Sequence, residues 1–304
     1  HRWTDSTRGV TKKISSSQDN AEETESSGLT AFSSDGFTLG GAGGYNGNGR
    51  TYVGWQWKAN GGTTSSNNDG SYTSTVQANT TAGFSMVKYG DASSFSASTP
   101  ATVGHGLGKA PSWILIKNLD GTRDWGVHHR SNGAGKIMYL NLQNAVANST
   151  GFDNGTLPSS TVFTVNTLNV ANGNNLEYIA YCWAEIQGYS KFGRYYGNGN
   201  ADGPLVYTGF KPAWLMLRNT ENGEDWLIWD VKRDEVREFG NPMSGRLKAN
   251  DSIAEVSGDD IDFLSYGFKV RTDSSYANGS ESILFMAFAE HPFVSSKGVP
   301  TTAR

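Results

Sequence analysis

The sequence predicts an all-β protein of tandem antiparallel β-sandwich units, jelly-roll-like in outline and built from internal repeats. Three observations predict it. Residues 36–58 (GFTLGGAGGYNGNGRTYVGWQWK) lie without gaps on residues 162–184 (VFTVNTLNVANGNNLEYIAYCWA) and on residues 267–289 (GFKVRTDSSYANGSESILFMAFA). Residues 110–129 (APSWILIKNLDGTRDWGVHH) lie equally well on residues 211–230 (KPAWLMLRNTENGEDWLIWD). The 304 residues include 38 Gly and 8 Pro and are only 18% charged, with 9 Trp, 13 Tyr and 14 Phe to fill a core. Gly and Asn supply turns at little steric cost, and that many aromatic rings offset chain entropy.

Each copy of the first motif opens on a Phe (Phe37, Phe163, Phe268), crosses a Gly/Asn/Ser loop and closes on a strand. Alternate positions of that strand are large and apolar: Val53, Trp55 and Trp57; Ile179, Tyr181 and Trp183; Leu284, Met286 and Phe288. Its opposite face drifts from Tyr52, Gly54, Gln56 and Lys58 to Tyr178, Ala180, Cys182 and Ala184, then to Ile283, Phe285, Ala287 and Ala289. Strands apolar on both faces need cover on both, so the later units are expected to pack against something extra, such as a neighbouring subunit. Cys182 is expected to be a small buried hydrophobe.

In chain order, residues 1–59 read as the C-terminal part of an incomplete first unit. Asp5 and Arg8 lie on Asp230 and Arg233, yet no Pro-Xaa-Trp strand precedes them. A strand without that neighbour exposes backbone groups, so the expectation is a chain that forms the end of a longer protein. Residues 60–81 read as a linker, Gly/Asn/Ser-rich at first, with a possible strand from Tyr72 through Ser74 and Val76. Residues 82–188 and 189–294 are two complete units of about 105 residues, long enough for separate cores. Each begins with a short strand, FSMVKYG at 84–90 or FGRYYG at 192–197, then the hairpin, then the closing motif. The charged run 232–238 reads as a solvated loop, and residues 295–304 as a tail.

A net charge of -4 disfavours a nucleic-acid binder, and no apolar run approaches the ~18 residues of a membrane helix. One cysteine excludes an intrachain disulfide framework. His1, His105, His128, His129 and His291 show no metal-ligand spacing, and His105 reads as a turn residue. The serine elbow and the nucleotide loop are missing. Asp124 with Asp225, and Glu185 with Glu290, recur between units, which points to structural roles. Asp259, Asp260 and Asp262 form the best acidic cluster and leave calcium in a loop as an open question. No cofactor is expected. The recurring Trp residues read as core. Aromatics without a counterpart read as the ligand-binding candidates: Phe95, Tyr195, Tyr196, Phe239 and Tyr266.

The phrases WxDSxRG at Trp3–Gly9, SSDGFTLG, NGNGRTYVGWQWKANGG, TVQANTTAGFSMVKY, GHGLGKAPSWILIKN, YIAYCWAE, YTGFKPAWLMLRN and FMAFAEHPF together resemble a domain of unknown function in tail-fibre-like proteins. Those proteins belong to marine bacteriophages, notably phages of cyanobacteria and abundant ocean bacteria. The resemblance covers essentially the whole chain and carries no catalytic residues. It implies a non-enzymatic virion protein, extracellular, that attaches to a host-surface glycan or protein, as a homotrimer joined to other virion proteins through a missing N-terminal part. A purely structural filament or decoration subunit, and an envelope polysaccharide depolymerase, are the rival expectations.

Overall fold

In a computed structural model of the chain, which describes residues 1–93, 95–233, 241–290 and 292, nearly all regular structure is strand. The first residues form only short pairs: β1 (Lys12–Lys13) with β2 (Glu23–Thr24), and β3 (Leu29–Phe32) with β4 (Phe37–Leu39). There follow β5 (Ser65–Asn67), β6 (Ser74–Asn79), β7 (Phe84–Gly90), β8 (Ala101–Gly104), β9 (Trp113–Asn118), β10 (Gly126–His129), β11 (Lys136–Tyr139), β12 (Ala147–Asn148), β13 (Val162–Val165) and β14 (Glu177–Trp183). The last repeat supplies β15 (Ser190–Tyr196), β16 (Leu205–Tyr207), β17 (Pro212–Asn219), β18 (Leu227–Asp230), β19 (Met243–Lys248), β20 (Val256–Leu264), β21 (Gly267–Val270) and β22 (Ser282–Ala289).

One eight-stranded sheet runs β12-β11-β10-β9-β14-β7-β6-β5, and β13 pairs with β8. A second runs β15-β22-β17-β18-β19-β20-β21-β16. The repeated hairpin is therefore β9–β10 in one case and β17–β18 in the other. The closing strands are flanked on both sides, β14 by β9 and β7 and β22 by β15 and β17. The chain divides into two compact units. The first holds His1–His128, Ala134–Ile137 and Asn148–Ala184; the second holds His129–Gly133, Met138–Ala147 and the chain from Glu185 onward.

In the second unit the long sheet folds over one core. Leu215, Leu217, Ile283, Phe285 and Ala287 meet Ile261, Phe263, Phe268 and Val270 there. That face of β22 is the one expected to need an outside partner. Its other face, Leu284, Met286 and Phe288, is also buried in the single chain, with the rings of Phe192, Tyr189 and Trp214 on Phe288. In the first unit, Tyr181 and Trp183 of β14 are covered by Trp3 and Trp57 at ring distances of 5.0 and 6.1 Å. Both faces are thus covered without a second subunit, and the pattern does not call for one.

Residues 51–58 keep the expected alternation, with Val53, Trp55 and Trp57 half-buried and the residues between them exposed, but join no ladder. The reason is the absence of neighbours. β14 stands between β7 and β9, whereas among the described residues no such strands flank residues 51–58. Phe37 is correspondingly 38% exposed, while Phe163 and Phe268 are buried. Cys182 is fully buried, and burial pushes its thiol well above its ordinary range. The stretch read as a linker contains β5 and β6, both paired.

Each hairpin is clasped by an arm of the preceding repeat, with matching bonds. In the first unit the Trp125 indole donates to Ser15 O at 2.8 Å, Lys117 Nζ to Asp19 O at 3.1 Å, and Glu22 N to Leu119 O at 2.8 Å. In the second, the Trp226 indole donates to Tyr139 O at 2.9 Å, Arg218 Nη2 to Asn144 O at 2.5 Å, and Val146 N to Thr220 O at 2.8 Å. The hairpin turns match as well. Asn118 Oδ1 accepts from Asp120 N and Gly121 N, and Asn219 Oδ1 from Glu221 N and Asn222 N.

Lys117 is fully buried, and burial lowers its ammonium to about 8 from an ordinary 10.5. Between those values the unfolded chain holds the proton that the folded chain has shed, so stability attributable to this group rises with pH. The wild type should gain about 1–3 kcal/mol on Lys117→Met between pH 8 and 10. Paired urea titrations across that range check it; parallel curves would sink the assignment.

Candidate functional site

The strand β16 ends its sheet, and its neighbour β21 fixes how it faces. Val270 N donates to Pro204 O and Thr208 N to Tyr266 O, both at 3.0 Å. In an antiparallel pair the bonded positions alternate, so Val206 also turns its backbone to β21. Leu205 and Tyr207 turn theirs outward. Side chains alternate the other way: Val206 enters the core at 7% exposure, while Leu205 and Tyr207 stand out at 49% and 70%.

Tyr266, in the turn between β20 and β21, completes the surface. Its ring stacks on Tyr207 with centroids 6.5 Å apart and planes at 29°. Thr208 Oγ1 donates to Phe210 O at 2.7 Å and holds the turn that follows Tyr207. Lys269, paired with Leu205, bridges to Asp202 at 2.7 Å and donates to Gly203 O at 2.6 Å. The hydrogen-bonded Lys269 ammonium holds the Asp202 carboxyl below its ordinary range. Two aromatic faces and a leucine, held by a strand and a pinned turn, form a contact surface. An offset pair of rings offers apolar area at little entropy cost.

Two acids of β20, Asp260 and Asp262, are engaged. Arg246 pairs with Asp260, which also accepts from the Tyr276 hydroxyl at 2.8 Å, and the Arg246 guanidinium lies 4.6 Å from the Tyr276 ring centre. Arg271 Nε meets Asp262 Oδ2 at 2.5 Å. Asp260 and Asp262 thus lie in a strand as arginine pairs, and are buried because arginine offsets their charge. The recurrent acids are structural too: Asp225 accepts from Gln143 and Asn250 and pairs with Lys248, while Glu185 and Glu290 pair with Lys191 and Lys211. Among the described residues no cluster of three or more His, Cys, Asp or Glu is placed to hold a metal ion.

His105, His128 and His129 are buried. His105 accepts from Leu107 N and meets Ser159 O at 3.2 Å, and burial lowers its pKa. His129 Nδ1 accepts from Ser131 N, and His128 Nδ1 lies 3.9 Å from Asp153 Oδ2. The pair lines a small cavity with Phe152, Thr156 and Phe163.

Of the five aromatics proposed from sequence, Tyr266 belongs to the contact surface. Tyr196 is 64% exposed but ends β15, the opposite edge strand. Phe95 is half-buried against Tyr72, with ring centres 4.7 Å apart. Phe239 lies outside the described residues. Tyr195 is corrected: it is 7% exposed and its hydroxyl donates to Ala277 O at 2.6 Å. It has a counterpart after all. Tyr89 pairs with Tyr178 and donates to Ala171 O at 2.7 Å, as Tyr195 pairs with Ile283. Tyr196 stands opposite Ser282 as Gly90 stands opposite Glu177, so aligning the two strands on their terminal glycines shifts Tyr195 off its mate.

Tyr207 and Leu205 were missed, although a signal existed. Phe163 pairs with Val103 and Phe268 with Val206, so Tyr207 stands where the other repeat has Gly104. An aromatic in the place of a glycine is a difference between the copies. The protein-family model for a domain of unknown function (DUF7483) matches residues 1–292. No curated protein matches the chain, and neither does any solved structure.

Proposed function

The chain belongs to that family of domains of unknown function, and on its own geometry we propose a non-enzymatic attachment role: a phage tail-fibre or adhesin domain that meets the host surface through Tyr207, Tyr266 and Leu205. The observation that carries it is the stacked, exposed tyrosine pair on an end strand of a rigid β scaffold. Recognition concentrates where such a scaffold presents loops and edges. The resemblance to marine phage fibre proteins supplies the virion setting, the extracellular location and the trimer; the covered faces of β14 and β22 add nothing to the trimer.

Tyr207→Ala and Tyr266→Ala should each weaken binding of the purified chain to envelopes of cyanobacterial or ocean-bacterial hosts by about 5–30-fold, as for aromatic anchors at other interfaces. Fold is checked in parallel by circular dichroism. Binding unchanged in both variants removes the contact surface. A structural subunit of a filament is the second reading, favoured by the repeated clasp, which is a device for chaining modules. It is preferred if the wild-type chain binds no envelope fraction.

A further inference from the structure

We propose that the outer edge of β16 is a strand-acceptor site, which takes an extended polypeptide segment of a host-surface partner running parallel to it. This rests on the attachment reading above and names the partner's class as protein.

The first unit shows the same edge already occupied. The registers of Phe163 with Val103 and Phe268 with Val206 equate β8 with β16, so Thr102 and Gly104 correspond to Leu205 and Tyr207. Along the outer side of β8 lies the chain just before β6. Tyr72 N donates to Thr102 O at 3.0 Å, Thr102 N to Ser71 Oγ at 2.8 Å, and Ser71 N to Thr102 Oγ1 at 2.8 Å. Ser74 Oγ donates to Gly104 O at 2.8 Å, and Tyr72 bridges Val103 in parallel sense. The approach is close: a Cβ on Gly70 would clash with Thr102 O, and one on Gly104 with Asn67 Oδ1.

In the second unit the end of β14 at Trp183 and the start of β15 at Ser190 are too near in sequence to provide such a segment. Among the described residues β16 is left as an end strand whose Leu205 and Tyr207 point N–H and C=O outward. Backbone groups at strand spacing recognise another backbone, and a sugar cannot match that alternation. Leu205 and Tyr207 select what flanks it: an incoming strand with apolar or aromatic side chains on their side.

The probe is the synthetic peptide DGSYTSTVQAN, the sequence of residues 69–79, titrated into the isotope-labelled full chain. Amide shifts and slowed hydrogen exchange are expected at Leu205 and Tyr207. Leu205→Pro should weaken the peptide about 10-fold by deleting an outward donor. That N–H makes no bond to β21, and proline is tolerated on an edge of this kind. Absence of shifts at β16 at peptide concentrations of about 5 mM, weak even for a 1 mM site, overturns the proposal, as do shifts that Leu205→Pro leaves intact. Should Leu205→Pro unfold the chain, exchange protection in the wild type decides alone. Envelope binding that survives Leu205→Pro but is lost in Tyr207→Ala overturns the strand and leaves the attachment reading standing, with a glycan as ligand. Peptide binding without envelope binding keeps the strand acceptor and sinks the attachment reading.

Discussion

Arg8→Ala should cost the first unit about 3–5 kcal/mol, the range for removing one partner of a buried ion pair. The Arg8 side chain is 1% exposed; its Nε meets Asp5 Oδ2 at 2.5 Å, its Nη1 meets Glu22 at 3.1 Å, and its Nη2 donates to Trp3 O at 3.0 Å. Asp5, itself 4% exposed by side chain, also accepts from the Tyr181 hydroxyl at 2.6 Å. Without the guanidinium that carboxylate stays buried, with only a phenol and the amides of residues 7 and 8 around it. The second unit repeats the device: Arg233 meets Asp230 at 2.5 Å, donates to Ile228 O at 3.1 Å and pairs with Glu255. There Arg233 is 12% exposed and Glu255 46%, so water screens more of the loss and Arg233→Ala should cost less. Urea unfolding of both variants checks the size and the order; a cost below about 1 kcal/mol for Arg8→Ala would mean that the pair is screened like a surface bridge.

Trp226→Ala is the second large effect, about 3–5 kcal/mol for a fully buried indole. Three losses coincide: core volume, the bond to Tyr139 O, and the ring lying 5.2 Å from the Arg218 guanidinium carbon. Arg218 is itself fully buried, and burial lowers its pKa to about 10, so it depends on what surrounds it. Trp226→Phe keeps most of the volume and an aromatic face, and should cost only about 1–2 kcal/mol for the missing donor. The arm of residues 138–147 should become sensitive to protease in the alanine variant well below the unfolding midpoint. Equal protection in alanine variant and wild type would refute the clasp.

The contact surface was half legible in the sequence. Tyr266 could be found as an aromatic lacking a mate, but Tyr207 needed the β16–β21 register before its mate was seen to be Gly104. Tyr195 failed for the same reason in reverse. A one-residue difference between FSMVKYG and FGRYYG has no visible position in sequence, and only the ladder with β22 puts Tyr195 opposite Ile283, where a core tyrosine belongs.

By itself the sequence determined the strand class, the repeat and the alternation of large and small residues, because these are properties of neighbouring positions along the chain. It even determined that Asp5 and Arg8 play the part of Asp230 and Arg233, since four residues of local geometry make that turn. Only the tertiary structure decided which face of β22 meets its own core, and that residues 51–58 remain unladdered with their alternation intact. It also decided that one edge is filled by Ser71 and Tyr72 while its equivalent has no partner strand among the described residues. Pairing, covering and leaving open depend on residues far apart in the chain, and their distance is set by the closed fold alone.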